Sequence, residues 1–77
     1  MEVKRDDCMF RVMIYFAGAR EIGLSSNNIA ESDLMDLVHW FENEKGPKVR
    51  KVVYNMNGTT ITHIINREYI AYITTSD

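Results

Sequence analysis

With 77 residues the chain has room for one small domain, and a core of that size rarely supplies more than about 3–5 kcal/mol, so a staple or a partner is a common supplement. The one cysteine, Cys8, excludes a disulfide within a single chain and fits a reducing, cytoplasmic setting. Nine Lys+Arg against eleven Asp+Glu give a formal net charge of −2, which argues against a dedicated nucleic-acid binder with a basic footprint.

The opening, Met1-Glu2-Val3-Lys4-Arg5-Asp6-Asp7, has no apolar run of the export-signal type and reads as a charged, flexible arm. No apolar stretch approaches the roughly 18–20 residues that span a bilayer, so no membrane role is expected. The rest reads as one domain, 1–77, without repeats or low-complexity segments.

From Cys8 to Ala17 apolar residues alternate, as a half-buried strand requires. Cys8, Phe10, Val12, Ile14 and Phe16 form the core face; Met9, Arg11, Met13 and Tyr15 form an outer face that is greasy for a wet surface. Ala17-Gly18-Ala19 reads as a turn. Arg20 to Ser25 follows as a short partner strand with Ile22 and Leu24 inward, and Gly23 suits an edge or a bulge.

After the loop Ser25-Ser26-Asn27-Asn28, Asn28 and Glu31 have the spacing of a capping box, with Asn27 and Ser32 as alternative caps. The helix is expected to run to about Glu44. Its apolar stripe is Ala30, Leu34, Leu37, Val38 and Phe41, flanked by Met35 and Trp40, with Ser32, Asp36, His39 and Asn43 opposite. Gly46 is expected just past its end, and Pro47 stops continuation.

Val49 to Ile65 carries the strongest local signal. Asn57-Gly58 is the preferred pair for a type I′ hairpin turn, because both central residues need positive φ. A two-residue turn sets Met56 opposite Thr59, Tyr54 opposite Ile61 and Val52 opposite His63. Val52, Tyr54, Met56, Ile61, His63 and Ile65 then face the core, with Lys51, Val53, Asn55, Thr60, Thr62 and Ile64 on the other side. A corner at Asn66-Arg67 leads into a last strand with Ile70 and Tyr72 expected inward, Tyr69 and Ile73 outward. The expected fold is therefore α+β, in the order β-β-α-β-β-β: a small, mainly antiparallel five-stranded sheet with one helix packed on a face.

Catalytic constellations are missing from this pattern. Cys8 lies on a core face, where cysteine behaves as a small hydrophobe. His39 has only Asp36 nearby at helical spacing, too few ligands for a metal, and His63 reads as a satisfied rim histidine on the sheet. Gly18 and Gly23 are isolated and form no phosphate-binding loop. Glu31, Asp33, Asp36, Glu42 and Glu44 scatter around a solvated helix. The reading is a non-enzymatic chain without cofactor or metal.

Binding is the remaining expectation. Trp40 reads either as a core-margin residue or as an aromatic anchor ringed by Asp33, Asp36 and Glu44, the make-up of many interaction hot spots. Met13, Tyr15 and Tyr69, with Met9 and Ile73, add apolar surface for a protein partner or a homodimer formed at a sheet edge or outer face. The leading expectation is a small protein-interaction module, a regulator or inhibitor of another protein. The alternative is a single-stranded nucleic-acid binder using Lys48, Arg50, Lys51 and Arg67 around Tyr69 and Tyr72. Part of the basic cluster from Lys45 to Lys51 already has a structural reason, since cations after a helix C-terminus complement its dipole.

Tyr15-Phe16-Ala17 with Arg20-Glu21-Ile22 resembles the early strand of the ubiquitin-like sulphur carriers, whose chemistry uses a C-terminal Gly-Gly. Here the last residues are Thr74-Thr75-Ser76-Asp77, and that chemistry is not expected. In size, acidity and single cysteine the chain resembles small phage or prophage accessory proteins.

Overall fold

The computed structural model describes residues 9–77. The flexible-arm expectation for 1–7 and the placement of Cys8 lie outside the described residues. Five strands and one helix follow in the expected order: β1 (Arg11–Phe16), β2 (Arg20–Ser25), α1 (Glu31–Glu42), β3 (Val49–Met56), β4 (Thr59–Asn66) and β5 (Ile70–Ser76), with a single 3₁₀ turn at Arg67–Tyr69 before the last. All strand pairs are antiparallel, and the α+β reading with one packed helix holds. Their hydrogen-bond ladders fall into two groups, β2-β1-β5 and β3-β4, joined by the 3₁₀ corner.

The hairpin forms in the expected register, with Met56 opposite Thr59, Tyr54 opposite Ile61 and Val52 opposite His63. Asn57 (φ 52°) and Gly58 (φ 83°) are both left-handed, as a type I′ turn demands. The turn after β1 uses Gly18 (φ 96°) and Ala19 (φ 68°), and at Ala19 a side chain occupies a region that L-residues disfavour.

One apolar core lies between the layers. Phe10 just ahead of β1 joins Val12 and Ile14 of its inner face, β2 contributes Leu24, and the hairpin contributes Val52 and Ile65. The helix closes it with Leu34, Leu37 and Trp40, preceded by Ile29. Fully burying side chains of this size contributes about 1.5–3 kcal/mol each. No polar or charged residue is buried among the described residues.

Three expectations about local structure are corrected. Helix α1 starts at Glu31, with Ala30 at the N-cap and no side-chain cap, so Asn28 is not the cap. The Asn28 N–H instead bonds the Ser25 carbonyl at 3.1 Å, in a turn that seats Ile29 in the core. The helix also ends earlier, at Glu42, because extended Asn43 (φ −91°, ψ 93°) carries its last backbone contacts to His39 and Trp40. Gly46 lies in the following turn, donating to the Asn43 carbonyl at 3.0 Å.

The third correction concerns β5. Tyr15 pairs with Tyr72 but Phe16 with Ile70, so Ala71 is an extra residue, a β-bulge. The bulge breaks strict alternation. Ile70 and Ile73 both pack against the core, while Tyr72 turns outward instead of inward.

Candidate interaction surface

The outward turn of Tyr72 builds the most distinctive feature of the surface. On the outer face of β2-β1-β5, residues Glu21, Tyr15 and Tyr72 form one row across three strands, and Gly23, Met13 and Thr74 form the next. Tyr15 and Tyr72 stack with ring centroids 4.5 Å apart and planes 20° from parallel. Tyr15 and Met13 are half-buried, whereas Tyr72 is 54 % exposed. Met13 lies over Gly23: a Cβ added there would stand 3.0 Å from the Met13 sulfur. A side chain at Gly23 would require the flexible methionine to move by a few tenths of an ångström.

Tyr69, 64 % exposed, occupies the 3₁₀ corner at the same end of the sheet. Its carbonyl accepts from the Ala17 N–H at 2.9 Å, and its side chain lines a shallow cleft with Phe16, Ala17, Arg20, Glu21 and Ile22. Met13, Tyr15, Tyr69 and Tyr72 are thus presented by β1, β5 and the corner between β4 and β5, all held by ladder bonds.

Trp40 stands elsewhere. It is 7 % exposed, belongs to the core cluster, and donates its indole N–H to the Pro47 carbonyl at 2.7 Å. The core-margin reading therefore holds and the exposed-anchor reading does not: the indole has no free face to offer. Asp33, Asp36 and Glu44 are exposed on the helix and just beyond it. Two of them serve the fold through their backbone, with the Asp36 carbonyl accepting from Arg50 at 3.5 Å and that of Glu44 from Arg67 at 3.3 Å.

Arg67 is also reassigned. Its guanidinium donates to the carbonyls of Glu44, Gly46 (2.9 Å) and Pro47 (2.7 Å) and sits 5.4 Å from the centroid of the Trp40 ring. With its donors on the 44–47 loop, it is a clamp on that loop and not a phosphate contact. Lys48 pairs with Glu68 at 2.9 Å, both largely exposed. Lys51 is exposed on the outer face of β3, beside Val53 and Ile64. Arg50 is half-buried with its guanidinium directed at the Asp36 carbonyl, and Tyr72 belongs to the other ladder, on β5.

The sequence reading passed over the outer face of the hairpin. Val49, Val53 and Ile64 are 51, 55 and 70 % exposed there. The alternation places Val53 and Ile64 on that side, but Lys51, Asn55, Thr60 and Thr62 among them make the face read as polar.

For chemistry the surface offers little. The Tyr54 hydroxyl and His63 Nε2 are 3.0 Å apart on the inner side of the hairpin, which satisfies both groups. No group of three or more His, Cys, Asp or Glu residues among the described residues is placed to hold a metal ion. No helix of the described residues is long and apolar enough to cross a membrane. Set against known proteins, the chain matches no family model, no curated protein and no solved structure.

Proposed function

We propose that this chain is a non-enzymatic protein-interaction module, a regulator or inhibitor that acts by docking another protein on the outer face of β2-β1-β5. The observation that carries the reading is the Tyr15–Tyr72 stack, with Met13 beside it and Tyr69 at the same end of the sheet. Tyrosine is favoured at hot spots because it brings a large, stiff contact area and a polar tip at small entropic cost. Here the rings are already ordered against each other, so little freedom remains to be lost on binding. A reducing, cytoplasmic setting and the phage-accessory type belong to the same proposal.

The test is capture of a partner from host lysate with wild-type chain and with the Tyr15→Ala/Tyr72→Ala variant, both checked for native circular dichroism. The reading expects a partner retained by wild type and lost by the variant. Equal retention by both removes the sheet face from the account.

Single-stranded nucleic acid is the second reading, and the same tyrosine stack favours it, since bases stack on aromatic rings. Against it stand the net charge of −2 and the engagement of Arg67 and Lys48 within the chain. A mobility shift with labelled oligonucleotides at low salt, vanishing as salt is raised, would move the proposal to this class.

A further inference from the structure

Among the described residues strand β4 has one ladder partner, β3, so its other side is an open edge eight residues long. The hairpin register says which backbone groups lie on it. Residues flanking a two-residue I′ turn exchange both of their backbone bonds, so Met56 and Thr59 bond one another, and pairs alternate from there. Ile61 and His63 therefore point their N–H and C=O toward β3. Those of Thr60, Thr62 and Ile64 point away from it, along the open edge.

We infer that this edge pairs antiparallel with the same edge of a second copy, making a continuous four-stranded sheet β3-β4-β4-β3 across a two-fold axis. Three observations lead to this occupant. First, the ladder that holds β4 is only two strands wide: its inner face is steadied by the core through Val52 and Ile65, but nothing pairs the outward backbone groups of β4 among the described residues. Second, Thr59–Asn66 contains no Lys, Arg, Asp or Glu and no proline or glycine, so it lacks the usual devices that blunt an edge. A strand meeting its own copy must not set like charges opposite each other, and β4 meets that condition. The other edges are guarded: β2 carries Arg20, Glu21 and Gly23, β3 carries Arg50 and Lys51 beside the helix, and β5 is interrupted by its bulge. Third, the geometry is self-complementary. With the axis at Thr62, Thr62 faces its copy and Ile64 faces Thr60 of the copy in both directions, and all three residues present their outward backbone groups. Pairing also brings the exposed Val53 and Ile64 of both copies onto one continuous face.

This inference uses a different surface from the tyrosine face, and either can fail without the other. The experiment is sedimentation equilibrium on the full chain over a concentration series, together with backbone amide exchange. The expected result is a reversible dimer in which the N–H groups of Thr60, Thr62 and Ile64 become protected as concentration rises. Thr62→Lys and Ile64→Lys, both at exposed positions, are expected to give monomers with unchanged circular dichroism. A monomer at every concentration with those amides exchanging freely overturns the inference. So does a dimer that persists in both variants, or protection of these amides only when an extended segment of another protein is added.

Discussion

At the scale of single residues, Arg67 is the side chain whose role differs most from its composition-level reading. A basic residue on a corner suggests an outward-facing charge; here a planar fork reaches three carbonyls and covers an indole. Lysine cannot reproduce that fork with a single ammonium group. Arg67→Ala is expected to lower stability by about 2–3 kcal/mol and Arg67→Lys to recover less than half of it, measured by urea unfolding. A change under about 0.5 kcal/mol in Arg67→Ala, the range of ordinary surface substitutions, would contradict the clamp. Left-handed backbone gives a pair of opposite expectations. Gly58→Ala should cost about 1–2 kcal/mol, whereas Ala19→Gly should be neutral or stabilising by up to about 1 kcal/mol, because Ala19 already bears the left-handed penalty. Thermal melts of the two variants check the sign.

At the scale of elements, the hairpin was fully legible and the helix start was not. Asn57-Gly58 acts within four residues, and alternation on both sides of it leaves one register. The cap at Asn28 failed for a physical reason. Burying Ile29 requires a further turn ahead of the helix, and that packing outweighs the side-chain cap at Asn28. Of the first N–H groups of the helix, that of Asp33 bonds the Ala30 carbonyl at 2.9 Å, and the alanine at the N-cap offers no side-chain acceptor to the others. Ala30→Asp is therefore expected to stabilise the fold by about 1 kcal/mol, with Asn28→Ala nearly silent. The reverse ranking in denaturant unfolding would restore the capping box. The bulge in β5 was illegible because Ala71 looks like any small strand residue. Only the pairing with β1, distant in sequence, forces the extra residue out of register and reverses Tyr72.

At the scale of the molecule, one apolar cluster joins both ladders and the helix, and most of the large apolar side chains left outside it lie on two sheet surfaces, with Tyr69 at the 3₁₀ corner and Met56 beside the hairpin turn. Composition pointed to that outcome without locating it. It indicates more apolar side chains than one 12-residue helix can cover, and alternation sets Tyr15 and Tyr69 outward as found, whereas the same alternation misplaces Tyr72 and Ile73. Trp40 could not be placed from helical geometry alone. Its side depends on the 44–47 loop folding back to supply a carbonyl at 2.7 Å and on Arg67 closing over the ring.

The central claim is that binding resides in the stacked tyrosines of the outer sheet face, and the affinity of the captured, purified partner for Tyr15→Ala/Tyr72→Ala measured by titration calorimetry tests it most directly. The account predicts a loss of at least about 2 kcal/mol, roughly thirtyfold in Kd, in a variant that keeps its native fold. An unchanged Kd in a natively folded variant would contradict it.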